Sequence, residues 1–166
     1  SVKIPSHEIA NYDLIKFCAS NFSTIYLSTG ASAEEEVITS NEILSKSETE
    51  YNLMHCVSSY PCNVENANLP RIEWLKSLHK NVGLSDHTQS TLVPALSVAL
   101  GVEVIEKHFT IDNNLEGRDN KFALNPPNFK EMVENINNAV LSMNYLGNNF
   151  QDSEADTVEN YRGRWG

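Results

Sequence analysis

The sequence predicts a parallel α/β fold, built of strands that each lead into a helix. Three observations point to it. Short β-type runs alternate with helical ones at a spacing of roughly 20 to 30 residues, as βαβ units do. Each strand ends in a knot of polar side chains, where parallel α/β folds keep their binding groups. The 166 residues, 40% hydrophobic and 20% charged, suit one soluble domain with a real core.

The first strand is Val2-Lys3-Ile4, followed by a helix from about Asn11 to Ser20. The second strand is Thr24 to Ser28, and its helix is opened by Ser32 with Glu35 three residues on, a capping-box signature. A third strand, Tyr51 to Cys56, precedes a helix over Leu69 to Leu78. The fourth strand is short, Val82-Gly83-Leu84, and its helix runs from about Thr91 to Leu100 and stops at Gly101. The fifth strand is Val104 to Phe109. Pro126 and Pro127 open the last helix; Phe129, Met132, Val133, Ile136, Val140 and Met143 recur at helical spacing, and Gly147 closes it.

Two architectures fit this alternation: a five-stranded doubly wound sheet, or part of an eight-stranded barrel. Periodicity does not choose between them, and a whole barrel needs about 250 residues. The start at Ser1, without an initiator methionine, points to a missing front portion.

Composition removes several function classes. Twelve basic against 22 acidic residues give a net charge of −10, which argues against a nucleic-acid backbone as partner. No apolar run approaches the ~20 residues of a membrane helix, and Ser1 leads straight into a strand without a signal peptide. Cys18, Cys56 and Cys62 lack framework spacing, which suggests reduced thiols in a cytoplasmic protein. Cys56 reads as a small core residue, and nothing marks a nucleophilic cysteine. Any positive charge for an anionic ligand has to be local, with Lys3, Lys107 and Arg118 as candidates.

The strand ends supply Lys3, Ser6 and Glu8; Ser28, Thr29 and Gly30; Ser58, Ser59 and Tyr60; Ser85, Asp86 and His87; and Glu106 and His108. Hydroxyls, backbone amides and a lysine converging on one point suit a phosphate. Each serine, taken alone, could equally cap a helix or turn. His87 and His108 follow adjacent strands, so two imidazoles with positions left open to oxygen fit a divalent metal such as Mn²⁺. Glu106 and Asp86 could ligate that metal, orient the histidines, or simply pair with a nearby lysine. His55, inside an apolar strand, and His79, after a helix, read as structural or surface residues. Glu34, Glu35 and Glu36 form a solvated helix start. The loop from Ile111 to Leu124 has the donor and acceptor mixture that hydroxyl-rich sugars use, or is a mobile surface loop.

In order along the chain, Lys3-Ile4-Pro5-Ser6, Leu27-Ser28-Thr29-Gly30, His55-Cys56-Val57-Ser58-Ser59-Tyr60-Pro61, Gly83-Leu84-Ser85-Asp86-His87-Thr88 and Val104-Ile105-Glu106-Lys107-His108-Phe109-Thr110 resemble the sialic acid (N-acetylneuraminate) synthase family. The last two stretches are the most specific. The resemblance implies a (β/α)₈ barrel, of which residues 1–147 would be the later part, with about five parallel βα units. It implies condensation of phosphoenolpyruvate with an N-acylmannosamine-type sugar to a nine-carbon 2-keto acid and phosphate, in a homo-oligomeric enzyme with no membrane or nucleic-acid partner. Carried over, Lys3, Ser6, Ser28, Ser58 and Ser85 would hold phosphoenolpyruvate, and Tyr60 and Asp119 would contact the sugar. His87 and His108 would ligate the metal, Mn²⁺ before Mg²⁺ or another ion, and Glu106 completes the candidate catalytic group.

The sequence also departs from the family. Some relatives carry asparagine at Ser58. The first three barrel strands, which bring a glutamate and a second lysine, have no counterpart. Residues 148–166 read as a tail or linker, where a small antifreeze-like domain would follow and lend an arginine to a neighbouring subunit. Two further readings stay open: a non-catalytic phosphate- and metal-binding relative, and a phosphoenolpyruvate-dependent synthase for another sugar.

Overall fold

A computed structural model describes residues 1–165. The strands are β1 (Val2–Ile4), β2 (Thr24–Ser28), β3 (Glu50–Cys56), β4 (Val82–Asp86) and β5 (Val104–Lys107). They alternate with helices α1 (Tyr12–Asn21), α2 (Glu34–Ser45), α3 (Arg71–Leu78), α4 (Val93–Val98) and α5 (Pro126–Ser142), and α6 (Ala155–Asn160) follows. The strands form one sheet in the order β1-β2-β3-β4-β5, with every neighbouring pair parallel.

That order decides between the two architectures. A doubly wound sheet reverses strand order at a switch point. Here the order never reverses, so right-handed crossovers put the helices on one face, as in a barrel wall. The chain is five parallel strands of a half-barrel.

Strand alternation gives the sheet two unlike faces. Ile4, Ile25, Leu27, Leu53, Val82 and Leu84 pack outward against Ile15, Cys18, Val37, Leu44, Ile72 and Leu75 in one core. The inner face is layered by register. Lys3, Tyr26 and Asn52 form one row; Ser28, Met54 and Gly83 a second; Cys56, Ser85 and Glu106 a third. Gly83 is required sterically, because a Cβ there would collide with the Met54 thioether.

Several boundaries differ from those the sequence predicts. β4 runs two residues beyond Leu84, because Ser85 and Asp86 continue the ladder opposite Glu106 and Lys107. α2 starts one residue later than the Ser32–Glu35 pattern implies: the Ala33 amide donates to Glu36 Oε2 at 2.8 Å, while Ser32 Oγ donates to the Thr29 carbonyl. α4 keeps only six residues. α5 begins at Pro126 behind an Asn125 cap, and ends at Ser142 rather than Gly147. Val140, Leu141 and Met143 are exposed there, so no packing sustains another turn.

Candidate functional site

At the carboxyl end of the sheet the inner face opens into a cleft of about 270 Å³. β1 and its following turn contribute Lys3, Pro5 and Ser6; β2 contributes Ser28; β3 and its loop contribute Cys56 and Tyr60. Ser85 and His87 come from the end of β4, Glu106 and His108 from the end of β5, and Arg118 and Asp119 from the long loop beyond it. The third inner row of the sheet is thus the floor of the cleft.

Lys3 and Glu106 meet across the half-barrel, with Nζ 2.8 Å from Oε1 and 2.7 Å from Oε2. Ser85 Oγ donates to the same Oε1 at 2.9 Å. Ser6 Oγ accepts the Gly30 amide at 3.0 Å, which pins the loop after β2 to the turn after β1. Gly30 must lack a side chain there, since a Cβ would lie 2.5 Å from Ser58 Oγ. Ser28 Oγ is buried with no hydrogen-bond partner among the described residues. A buried unpartnered hydroxyl facing a cleft leaves a donor available to a ligand or water, since leaving it unpaired costs about 1–3 kcal/mol.

The imidazoles of His87 and His108 lie 5.3 Å apart, centroid to centroid, and the Tyr60 ring packs 4.2 Å from His87. His87 Nδ1 sits 2.9 Å from the Val57 carbonyl. A carbonyl only accepts, so Nδ1 carries the proton and Nε2 keeps its lone pair in the neutral ring. That is the arrangement by which metal-binding histidines are oriented. Burial alone would lower the His87 pKa, but its hydrogen bonds to Cys56 and the Val57 carbonyl outweigh it and the net direction is upward. His108 moves downward, through burial and the neighbouring His87, against the pull of Asp119 and Glu106. Its Nδ1 lies 3.8 Å from Asp119 Oδ2. Among the described residues no group of three or more His, Cys, Asp or Glu side chains is placed so as to hold a metal ion. Two imidazole nitrogens could hold a divalent ion only with oxygen ligands supplied from elsewhere in the remaining positions.

Of the residues that the family resemblance assigns to substrate or metal, Ser58 alone lies off this cleft. It lines an adjoining depression with Thr29, Gly30 and Arg71. Glu8 is turned away and accepts from Asn11 Nδ2. Ser59 serves its own turn, donating to the Pro61 carbonyl. Lys107 is a correction, and Asp86 takes the last of its open alternatives, pairing with a lysine. Their side chains project to the helix side and pair at 2.5 Å, with only 3% and 2% exposed. Asp86 is therefore no cleft ligand, and Lys107 is no source of charge for an anion there. Cys56 is the residue the sequence reading missed. Its thiol lies 3.8 Å from His87 Nδ1 and 3.7 Å from Ser58 Oγ. Burial would raise it, yet hydrogen bonds from His87, Ser6 and Ser58 bring it below its ordinary value. The signal was available, because Cys56 pairs in register with Ser85 and so shares its face.

The loop beyond β5 is folded rather than loose. Asn113 Nδ2 donates to the carbonyls of Asn120 and Ala123, both at 2.8 Å. Phe122, Ala123 and Leu124 are buried, which brings Arg118 and Asp119 to the rim. His55 and His79 are structural: their Nε2 atoms lie 2.8 Å from the Ala67 carbonyl and 3.0 Å from the Tyr51 carbonyl.

Fold and cleft together define a barrel-type α/β protein with a site lined by hydroxyls, charged side chains and imidazoles at its strand ends. Comparison with known proteins narrows the class: a family model described as the NeuB family matches residues 1–148, and the chain belongs to that family. It is 44% identical over 136 residues to an uncharacterized protein of Methanocaldococcus jannaschii, covering 81% of this chain and 40% of that one. It is 38% identical over 144 residues to the N,N'-diacetyllegionaminic acid synthase of Legionella pneumophila, covering 83% and 40%. The crystal structure of N-acetylneuraminic acid synthetase from Leptospira borgpetersenii, in complex with citrate, superposes with a TM-score of 0.85 at 35% identity, covering 95% of this chain and 55% of that one. The chain thus spans about 40% of the length of the curated relatives it matches. No helix among the described residues is long and apolar enough to cross a membrane.

Proposed function

We propose that the chain forms the later part of the barrel of a sugar-acid synthase, one that condenses phosphoenolpyruvate with an N-acylmannosamine-type sugar. The observation that carries this reading is the single cleft holding a free Ser28 hydroxyl, the Lys3–Glu106–Ser85 network and two imidazoles 5.3 Å apart. Relatives named as legionaminic, pseudaminic and N-acetylneuraminate-9-phosphate synthases support it.

In this reading Ser28, Ser85 and Ser6 donate to the anionic groups of phosphoenolpyruvate, and Lys3 exchanges part of its contact with Glu106 for them. Ser58 reaches the same ligand only from the neighbouring depression. Tyr60 and Asp119 line the sugar side. A divalent ion held by His87 and His108, Mn²⁺ foremost, would supply Lewis-acid polarisation of the sugar aldehyde. The enol carbon bonds to the aldehyde carbon, and water adds to the carbon bearing the phosphate. Carbon–oxygen cleavage then leaves the 2-keto acid and inorganic phosphate. Alignment and fixed charge account for the rate, with no covalent intermediate on the protein. A cytoplasmic setting belongs to the same reading, in keeping with three free, buried thiols.

The test is phosphate release from phosphoenolpyruvate with N-acetylmannosamine and Mn²⁺. Release that depends on both substrates supports a synthase. Binding without release supports a non-catalytic relative. Release with a different sugar from a panel assigns another acceptor, and the loop carrying Arg118 and Asp119 is where that choice is made.

A further inference from the structure

We propose that Lys107, with Asp86 and Thr88, is a positioning clamp that sets the spacing of the His87 and His108 rings. The inference rests on the reading that these two imidazoles act together. Asp86 and Lys107 are the last register partners between β4 and β5. The next residue on each strand is one of the two histidines. On the side of the sheet away from the cleft, the Lys107 ammonium donates to Asp86 Oδ2 at 2.5 Å, to the Thr88 carbonyl at 2.5 Å and to the Ser90 carbonyl at 3.3 Å.

Those contacts use all three ammonium protons. They also bracket His87, because Asp86 precedes it and Thr88 follows it. Thr88 closes the bracket by donating Oγ1 to Asp86 Oδ2 at 3.0 Å and its amide to Asp86 Oδ1 at 2.9 Å. One cation, itself the residue before His108, therefore ties the peptide on both sides of His87 to β5. Neighbouring strands run roughly 4.8 Å apart, and the ring centroids stand 5.3 Å apart, so the rings inherit the strand spacing. Burial of such a pair is weak as a device for stability, since apolar residues of similar volume often serve as well. What the ion pair adds is a set of directed hydrogen bonds to the peptides flanking His87, which an apolar pair of the same volume lacks.

The clamp is tested on the whole chain with Lys107→Met and the milder Thr88→Val. Two readouts are needed: the ring-to-ring nuclear Overhauser effect between His87 and His108 without metal, and Co²⁺ affinity from visible absorbance. The expected result is loss of the ring contact and about tenfold weaker Co²⁺ binding, the size of effect seen when groups behind metal ligands are removed. Thr88→Val should show it while its unfolding transition stays cooperative. Wild-type ring contacts and wild-type Co²⁺ affinity in both folded variants would overturn the clamp. Wild-type Co²⁺ binding that survives His87→Ala would instead overturn the metal reading, and the ring contact then decides the clamp by itself.

Discussion

Glu106 and Lys107 are consecutive residues, yet each joins an ion pair of opposite character. Lys107 pairs with Asp86 on the helix side, where the two side chains are 2% and 3% exposed. Glu106 pairs with Lys3 on the inner face, where the exposures are 43% and 30%. Burial lowers the Lys107 pKa, but Asp86 holds the charge in place and three acceptors saturate it. Lys3 keeps a single carboxylate as partner and faces a cleft. A buried charge with every donor used is architecture, whereas a half-exposed one with a single partner is exchangeable. The difference arises from nothing more than strand alternation.

The comparison breaks most visibly at Lys107. Lys107→Met leaves Asp86 buried and uncompensated, and should cost about 3–5 kcal/mol of stability. Chemical denaturation checks this, and a loss under ~1 kcal/mol would place the pair in solvent.

A smaller effect comes from His55, which also projects outward and is 1% exposed. Its Nε2 donates to the Ala67 carbonyl and its Nδ1 has no partner among the described residues, and burial lowers its pKa from the usual 6.5. The neutral ring is therefore the folded form. Its contribution is fully present above about pH 6.5 and is lost as pH falls from there toward the lower folded value, by up to about 1.4 kcal/mol per pH unit. His79, also lowered by burial, acts in the same direction. Subtracting the pH profile of His55→Gln from that of the wild type isolates the His55 share; a flat difference would contradict it.

The smallest stability effects belong to the inner pair, where screening limits the loss to about 1 kcal/mol. There the readout is binding. Lys3→Met should weaken inorganic phosphate by about tenfold, as expected for a charged hydrogen bond. Glu106→Gln should tighten it, because Lys3 loses its competitor. Equal affinities in both variants would mean that the anion does not use Lys3.

The family and the alternation of strands and helices were legible in the sequence, carried above all by the Ser85–Thr88 and Glu106–Thr110 stretches. Strand order was not, because alternation is common to wound sheets and barrels and only pairing separates them. Which face a residue takes was readable wherever register was known. Cys56 would have been found by following Ser85 across the ladder. Lys107 was misassigned because a count of nearby basic residues ignores that Glu106 and Lys107 must point to opposite sides. Helix ends depended on contacts no local pattern contains, such as the unsupported last turn of α5.

One cleft at the strand ends gathers the imidazoles and the hydroxyls. Paramagnetic broadening by Mn²⁺ in amide-resolved NMR spectra tests it most directly. Sub-stoichiometric Mn²⁺ should first erase the signals of Ser28, Ser85, His87 and His108 together. Broadening that begins at the acidic start of α2, Glu34 to Glu36, and spares those four would contradict it.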